Sequence, residues 1–149
     1  MTTARGAFLK ALDLPSIEQA IRRAEAHTSG EIRLSIAGYF RGDPHRLATR
    51  AFHRLRMNAT HHRNGVLILI APARRQVVVL GDQGIHARVG DAFWRDTAAL
   101  LTGLLREGEP NRAVLRAIET VGDELARHFP LDAAANPNEL PDAIDLSPG

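Results

Sequence analysis

The chain has 149 residues, 44% hydrophobic and 24% charged, with a formal net charge of +2; that is room for one domain with a real core, and the mixture is unlike that of disordered chains. It contains no cysteine, which excludes a disulfide scaffold, a thiol nucleophile and any thiolate-held zinc or iron-sulfur centre. The longest apolar run, Val66 to Ala71, is far short of the roughly 20 residues that span a bilayer, and Met1 to Lys10 lacks a signal peptide's apolar stretch, so the chain as given reads as soluble and cytoplasmic.

Residues 1–15 read as an N-terminal extension. Ser16 and Gln19 have capping-box spacing, and Ile17, Ala20, Ile21 and Ala24 recur at helical intervals, which predicts a helix over 17–27 ended by Gly30. Ile32, Leu34 and Ile36 then alternate with Glu31, Arg33 and Ser35, a strand with one wetter face. Asp43 before Pro44 opens a second helix to about Met57, with Leu47, Ala51, Phe52 and Leu55 on its apolar face and Arg46, Arg50 and Arg54 as a basic solvent stripe.

Gly65 opens the run Val66 to Ile70, and Pro72 to Arg75 leads to a second run, Val77 to Leu80. Uninterrupted aliphatic runs suit strands covered on both faces, and so short a connection makes them an antiparallel hairpin. Asp91 is positioned to cap a helix carrying Phe93, Trp94, Leu101, Leu104 and Leu105, and a last helix from about Pro110 to His128 buries Val114, Ile118, Val121 and Leu125. Residues 130–149, with four prolines, read as an irregular tail, which leaves 16–129 as the domain.

This order predicts an α/β fold: a three-layer αβα sandwich in which a small mixed β-sheet carries helices on both faces. The strand-helix-strand crossover makes the first two strands parallel and the hairpin reverses the third. Glu31, Arg63, Asp82 and Asp91 should therefore lie at one end of the sheet, with Asn64 and His86. Charge is divided along the chain: residues 1–80 hold 13 Lys+Arg and 5 Asp+Glu, a net of +8, which leaves 6 minus 12, or −6, for residues 81–149. With only 5% aromatic residues there are few rings to stack on bases, so nucleic acid is not the expected partner.

These loops resemble the TPM-domain family. Arg63-Asn64-Gly65-Val66-Leu67 is similar to that family's Asp-Asn-Gly-Val-Leu strand, and Gly84-Ile85-His86 leading to Asp91 is similar to its Gly-Leu-Glu stretch followed by an aspartate. Thr28 to Arg33 and Asn138 to Asp142 look like a bacterial branch of the family, and the likeness covers about residues 15–142. The resemblance implies an αβα sandwich, divalent-cation binding in some members, acid-phosphatase activity in thylakoid-lumen relatives, and frequent attachment to the cell envelope. In two places the chain departs from the pattern: Arg63 stands where the family has an aspartate and His86 where it has a glutamate, a loss of two carboxylates and the gain of a fixed cation.

Two functions of different class follow. As a weak phosphatase, hydrolysing phosphomonoesters with metal assistance, the chain would use Asp82, Asp91 and His86 as catalytic groups and Arg63 and Asn64 to hold the phosphate. Asp82, Asp91 and Glu31 would be ligands for Ca²⁺ or Mg²⁺, unless Arg63 replaces the ion. The bland alternatives are a helix cap at Asp91, a surface ion pair between Asp82 and Arg63, and solvated histidines. As a non-enzymatic binding or scaffold module for an envelope or membrane protein, it would offer one of the consecutive rings Phe93 and Trp94 as a contact while the other enters the core. No His-x-x-x-His spacing supports zinc, because His61 and His62 are adjacent.

Overall fold

A computed structural model describes residues 3–131 and 144–146. The elements in chain order are α1 (Ala4–Lys10), α2 (Leu14–Glu25), β1 (Glu31–Ile36), α3 (Pro44–Arg54), β2 (Gly65–Ala71), β3 (Gln76–Gly81), α4 (Gln83–Arg106), α5 (Pro110–His128) and β4 (Ile144–Asp145). Short 3-10 turns occupy Met57–Ala59 and Pro72–Arg74. The sheet order is β3-β2-β1-β4, with β1 parallel to β2 and to β4 and with β2 antiparallel to β3. This is the expected αβα sandwich.

The strands alternate their burial between two cores. Ile32, Leu34, Ile36, Val66, Ile68, Ile70 and Val79 pack against Ile17 and Ile21 of α2, Ile85 and Leu101 of α4 and the inner face of α5. Leu67 and Leu69 point the other way, onto Leu47, Ala48, Ala51 and Phe52 of α3 and onto Met57. Each such aliphatic side chain, fully buried, contributes about 1.5–3 kcal/mol, so β2 and its two covers supply much of the driving force.

Five local expectations are corrected. Residues 4–10, read as part of an extension, form α1, which Thr3 caps at Gly6 N; α1 lays Phe8 and Leu9 on the larger core and lies against the Pro72–Arg74 turn. The cap of α2 is Asp13, whose carboxylate accepts from Ser16 N, so the helix starts before the Ser16 box. The polar face of β1 is not wet: Glu31, Arg33 and Ser35 are all buried, and β4 pairs beside Ser35, which donates to Asp145 at 3.1 Å. Arg54, read as part of a solvent stripe, instead pairs with that same Asp145 at 3.1 Å. Of the tail, residues 132–143 and 147–149 lie outside the described residues, and Ile144–Asp145 is a strand rather than irregular chain.

Candidate functional site

The register fixes the end of the sheet where the predicted site residues meet. Glu31 stands opposite Gly65 across the parallel pair, and Val66 stands opposite Gly81 across the hairpin. Asp82 N donates to Gly65 O at 2.9 Å, one step past the last strand pair, so Asp82 and the 60–64 loop are side by side.

Arg63 meets Asp82 there as a two-point ion pair: Nε donates to Oδ2 at 2.6 Å and Nη2 to Oδ1 at 3.0 Å. This fork-to-carboxylate geometry is the strong form of such a pair. The hydrogen bond to Asp82, helped by its charge, raises the guanidinium further above its already high range, against a partial desolvation. The Asp82 carboxylate also accepts from Gln83 N at 2.8 Å and so caps α4. It is buried while Arg63 stays about 41% exposed. Arg63 itself is left-handed, φ 52°, a conformation that Asn or Asp adopts more readily than Arg.

The helix therefore starts at Gln83, not at Asp91. Gly84 lies in its first turn in close approach to the 60–64 loop: Gly84 N donates to Arg63 O at 2.8 Å, and a Cβ on Gly84 would fall 2.1 Å from His62 O. Gly90, at φ 78° and ψ 175°, then breaks α4 into two segments. Asp91 begins the second segment, 80% exposed, with Oδ1 3.6 Å from His86 Nε2. The other imidazole nitrogen, Nδ1, accepts from Trp94 Nε1 at 2.9 Å. Phe93 and Trp94 are both half-buried and meet edge to face at 5.1 Å, in place of one ring in and one out.

Asn64 is held inside the fold. It is wholly buried, its backbone N–H donates to Thr60 Oγ1 at 3.1 Å, and its Nδ2 donates to Ser29 Oγ at 3.0 Å. A residue expected to bind phosphate thus presents no surface to it. Glu31 is likewise buried. The arrangement consists of two pairs, Arg63 with Asp82 and His86 with Asp91, rather than one shared cradle. Among the described residues no three His, Asp or Glu side chains gather closely enough to hold a metal ion. The donor set around Asp82 does not fit a divalent cation, because a guanidinium already occupies its oxygens.

Residues that the sequence reading did not bring to the site include Trp94, which orients His86, and Ser29 and Thr60, which fix Asn64. Asp145 is buried beside β1 and pairs there with the exposed Arg54. The Trp94 contact had one legible signal, its helical distance of two turns from His86; the Asp145 contact had none, lying 110 residues from Ser35.

An α/β sandwich whose loops meet at one end of a mixed sheet is the class the geometry defines. The family model of the TPM domain matches residues 3–124, and the chain belongs to the TPM-domain family. It is similar to the BA42 protein of the psychrophilic bacterium Bizionia argentinensis, solved by NMR: 35% identity, 89% of this chain and 91% of that one covered, TM-score 0.81. It also shares its fold with the N-terminal domain of the cg2496 protein of Corynebacterium glutamicum, at 22% identity, 76% and 71% coverage and a TM-score of 0.58. A search of curated proteins gave no match. No helix among the described residues is long and apolar enough to cross a membrane.

Proposed function

We propose that this TPM domain works as a non-enzymatic binding module, with an envelope or membrane protein as its partner. The observation that supports this is the two-point pair of Arg63 with Asp82. The carboxylate that a phosphatase would use as base or metal ligand is buried, caps a helix and is neutralised by a cation of the same chain. Chemistry at Asp82 would first have to break that pair.

The hydrolase reading draws on a different observation, the His86 imidazole 3.6 Å from Asp91 on an exposed surface. In it His86 carries the proton and Arg63 swings from Asp82 to the phosphate, with Mg²⁺ or Ca²⁺ supplied from solution. One assay decides between them: turnover of p-nitrophenyl phosphate, with chelator and with Mg²⁺ or Ca²⁺, by the native chain and by Asp82→Asn with Asp91→Asn. The binding-module reading expects no turnover that the double substitution removes. Metal-stimulated turnover lost in the folded double variant would establish the hydrolase instead.

A further inference from the structure

The edge of the sheet formed by β3 carries a feature independent of the strand-end loops. Because Asp82 N bonds to Gly65 O and the register runs Val66↔Gly81 to Ala71↔Gln76, hydrogen-bonded pairs fall at residues 82, 80, 78 and 76 of this strand. Val77, Val79 and Gly81 therefore turn their backbone N–H and C=O away from β2. Since β3 ends the sheet, no strand among the described residues receives them. Proteins usually blunt such an edge with lysine, proline or a bulge, and Val77-Val78-Val79-Leu80-Gly81 has none of these.

A groove of about 370 Å³ runs along this edge, from Val77 to Gly81. Trp94 and Ala98 of α4 form its apolar wall, and His45 of α3 stands on the facing side. The Trp94 ring is seated so closely on Gly81 that a Cβ there would come within 2.1 Å of it, and its N–H is tied to His86, so the wall is preset. An unpaired strand edge beside a helix is the geometry into which an extended peptide adds as a further strand, backbone to backbone, with every second side chain entering the groove.

The rim indicates what the added strand carries. Asp91 is already faced by His86, whereas Arg95, exposed on the same rim, makes no hydrogen bond or ion pair among the described residues. A second copy of the chain would offer the same apolar edge with a further cation and no carboxylate on the added strand to meet Arg95. Its six-residue edge, about 20 Å long and about 10 Å deep, also falls well short of the roughly 800 Å² per partner of a stable interface. We propose that the β3 edge binds an extended segment of another protein, apolar at alternate positions and bearing a carboxylate that pairs with Arg95. This rests on the binding-module reading and names the kind of partner.

The test is an NMR titration of the whole ¹⁵N-labelled chain with a capped hexapeptide, Thr-Val-Thr-Val-Thr-Glu, whose Glu shares a face with both Val residues. Controls are the same peptide with Lys for Glu and one with proline at alternate positions. Saturable shifts and slowed exchange are expected at the amides of Val77, Val79 and Gly81 and at the Trp94 indole, with a Kd below about 1 mM. Arg95→Glu, on an exposed position, should weaken the Glu peptide at least about tenfold and favour the Lys peptide. No shift at these amides, an equal response to the proline peptide, or concentration-dependent self-association through the same amides would overturn the proposal. Phosphate turnover would overturn the binding-module reading and leave this titration unaffected; a silent β3 edge without turnover would overturn this proposal alone.

Discussion

Arg63 and Asp82, 19 residues apart, join the end of the 60–64 loop to the first turn of α4 through two hydrogen bonds of 2.6 and 3.0 Å. The two ends of the pair are unequal. Asp82 also caps the helix and is buried, whereas the Arg63 side chain is about 41% exposed and can reach water if its partner is lost. Asp82→Ala removes the cap, worth about 0.5–2 kcal/mol, but leaves a guanidinium that water can solvate. Arg63→Ala should lower the melting temperature more, since it leaves the buried Asp82 carboxylate without its cation. Thermal melts of both variants and of the double variant measure this as a cycle; a smaller loss in Arg63→Ala than in Asp82→Ala would show that the cap outweighs the unpaired charge.

Gly84 is the tightest point of the same junction. A methyl group there meets the backbone of His62 and Arg63, at 2.1 and 2.6 Å, not the flexible end of a side chain. Either the first turn of α4 moves away, with loss of the Gly84 N to Arg63 O bond, or the hairpin's neighbouring loop shifts. Gly84→Ala should destabilise by about 3 kcal/mol despite alanine's better helix propensity. Urea unfolding measures it, and Gly103→Ala, where a Cβ meets nothing within 4 Å, is the control expected to be neutral or slightly stabilising.

The cap of α2 gives the chain a defined acid response. The Asp13 carboxyl is held below its ordinary value of 3.8, chiefly by the Ser16 hydroxyl and then by the Ser16 backbone N–H. Because the unfolded chain takes up this proton first as pH falls, the cap's contribution is complete above the ordinary titration range. It is lost as pH drops through the folded value. Asparagine also caps but does not titrate there. The melting-temperature difference between native and Asp13→Asn should stay constant from pH 7 to about pH 5 and close below about pH 4. A difference that grows with acidity would mean the carboxyl is held above, not below, its ordinary value.

Much of the fold was legible because it rests on local patterns. The aliphatic runs Val66–Ile70 and Val77–Leu80 with six residues between them admit little but a hairpin, and that hairpin brings Arg63 to Asp82. What stayed hidden depended on partners remote in sequence or on a residue with two meanings. Gly84 permits a close backbone contact within a helix and Gly90 breaks that helix at positive φ, two roles that the residue type alone does not distinguish. The alternation in β1 gave the correct strand but the wrong environment, since Asp145, itself paired with Arg54, supplies the buried Ser35 hydroxyl with a partner. Asn64 looked like a ligand because its type suits one, and nothing local showed that Ser29 and Thr60 had claimed it.

The position of Arg63 gives the last prediction. This chain places the Arg63 guanidinium on both oxygens of Asp82, the carboxylate expected from the sequence as a cation ligand. The native chain should accordingly show no rise in melting temperature between chelator and millimolar Ca²⁺. Arg63→Asp changes the local charge by −2, returns to the loop a residue type that accepts the left-handed φ of 52°, and leaves the Asp82 oxygens without a partner. Two like carboxylates close together repel unless a cation joins them, so the variant should be less stable than the native chain in chelator. Calcium should then recover it: a ligand at about 100 times its Kd adds roughly 2.7 kcal/mol, a shift of several degrees in a domain of this size. Melts of both proteins under both conditions read the two effects separately. A calcium-dependent rise in the native chain would show that Arg63 does not take the ion's place, and an unresponsive Arg63→Asp would show that this loop has lost the geometry of a cation site altogether.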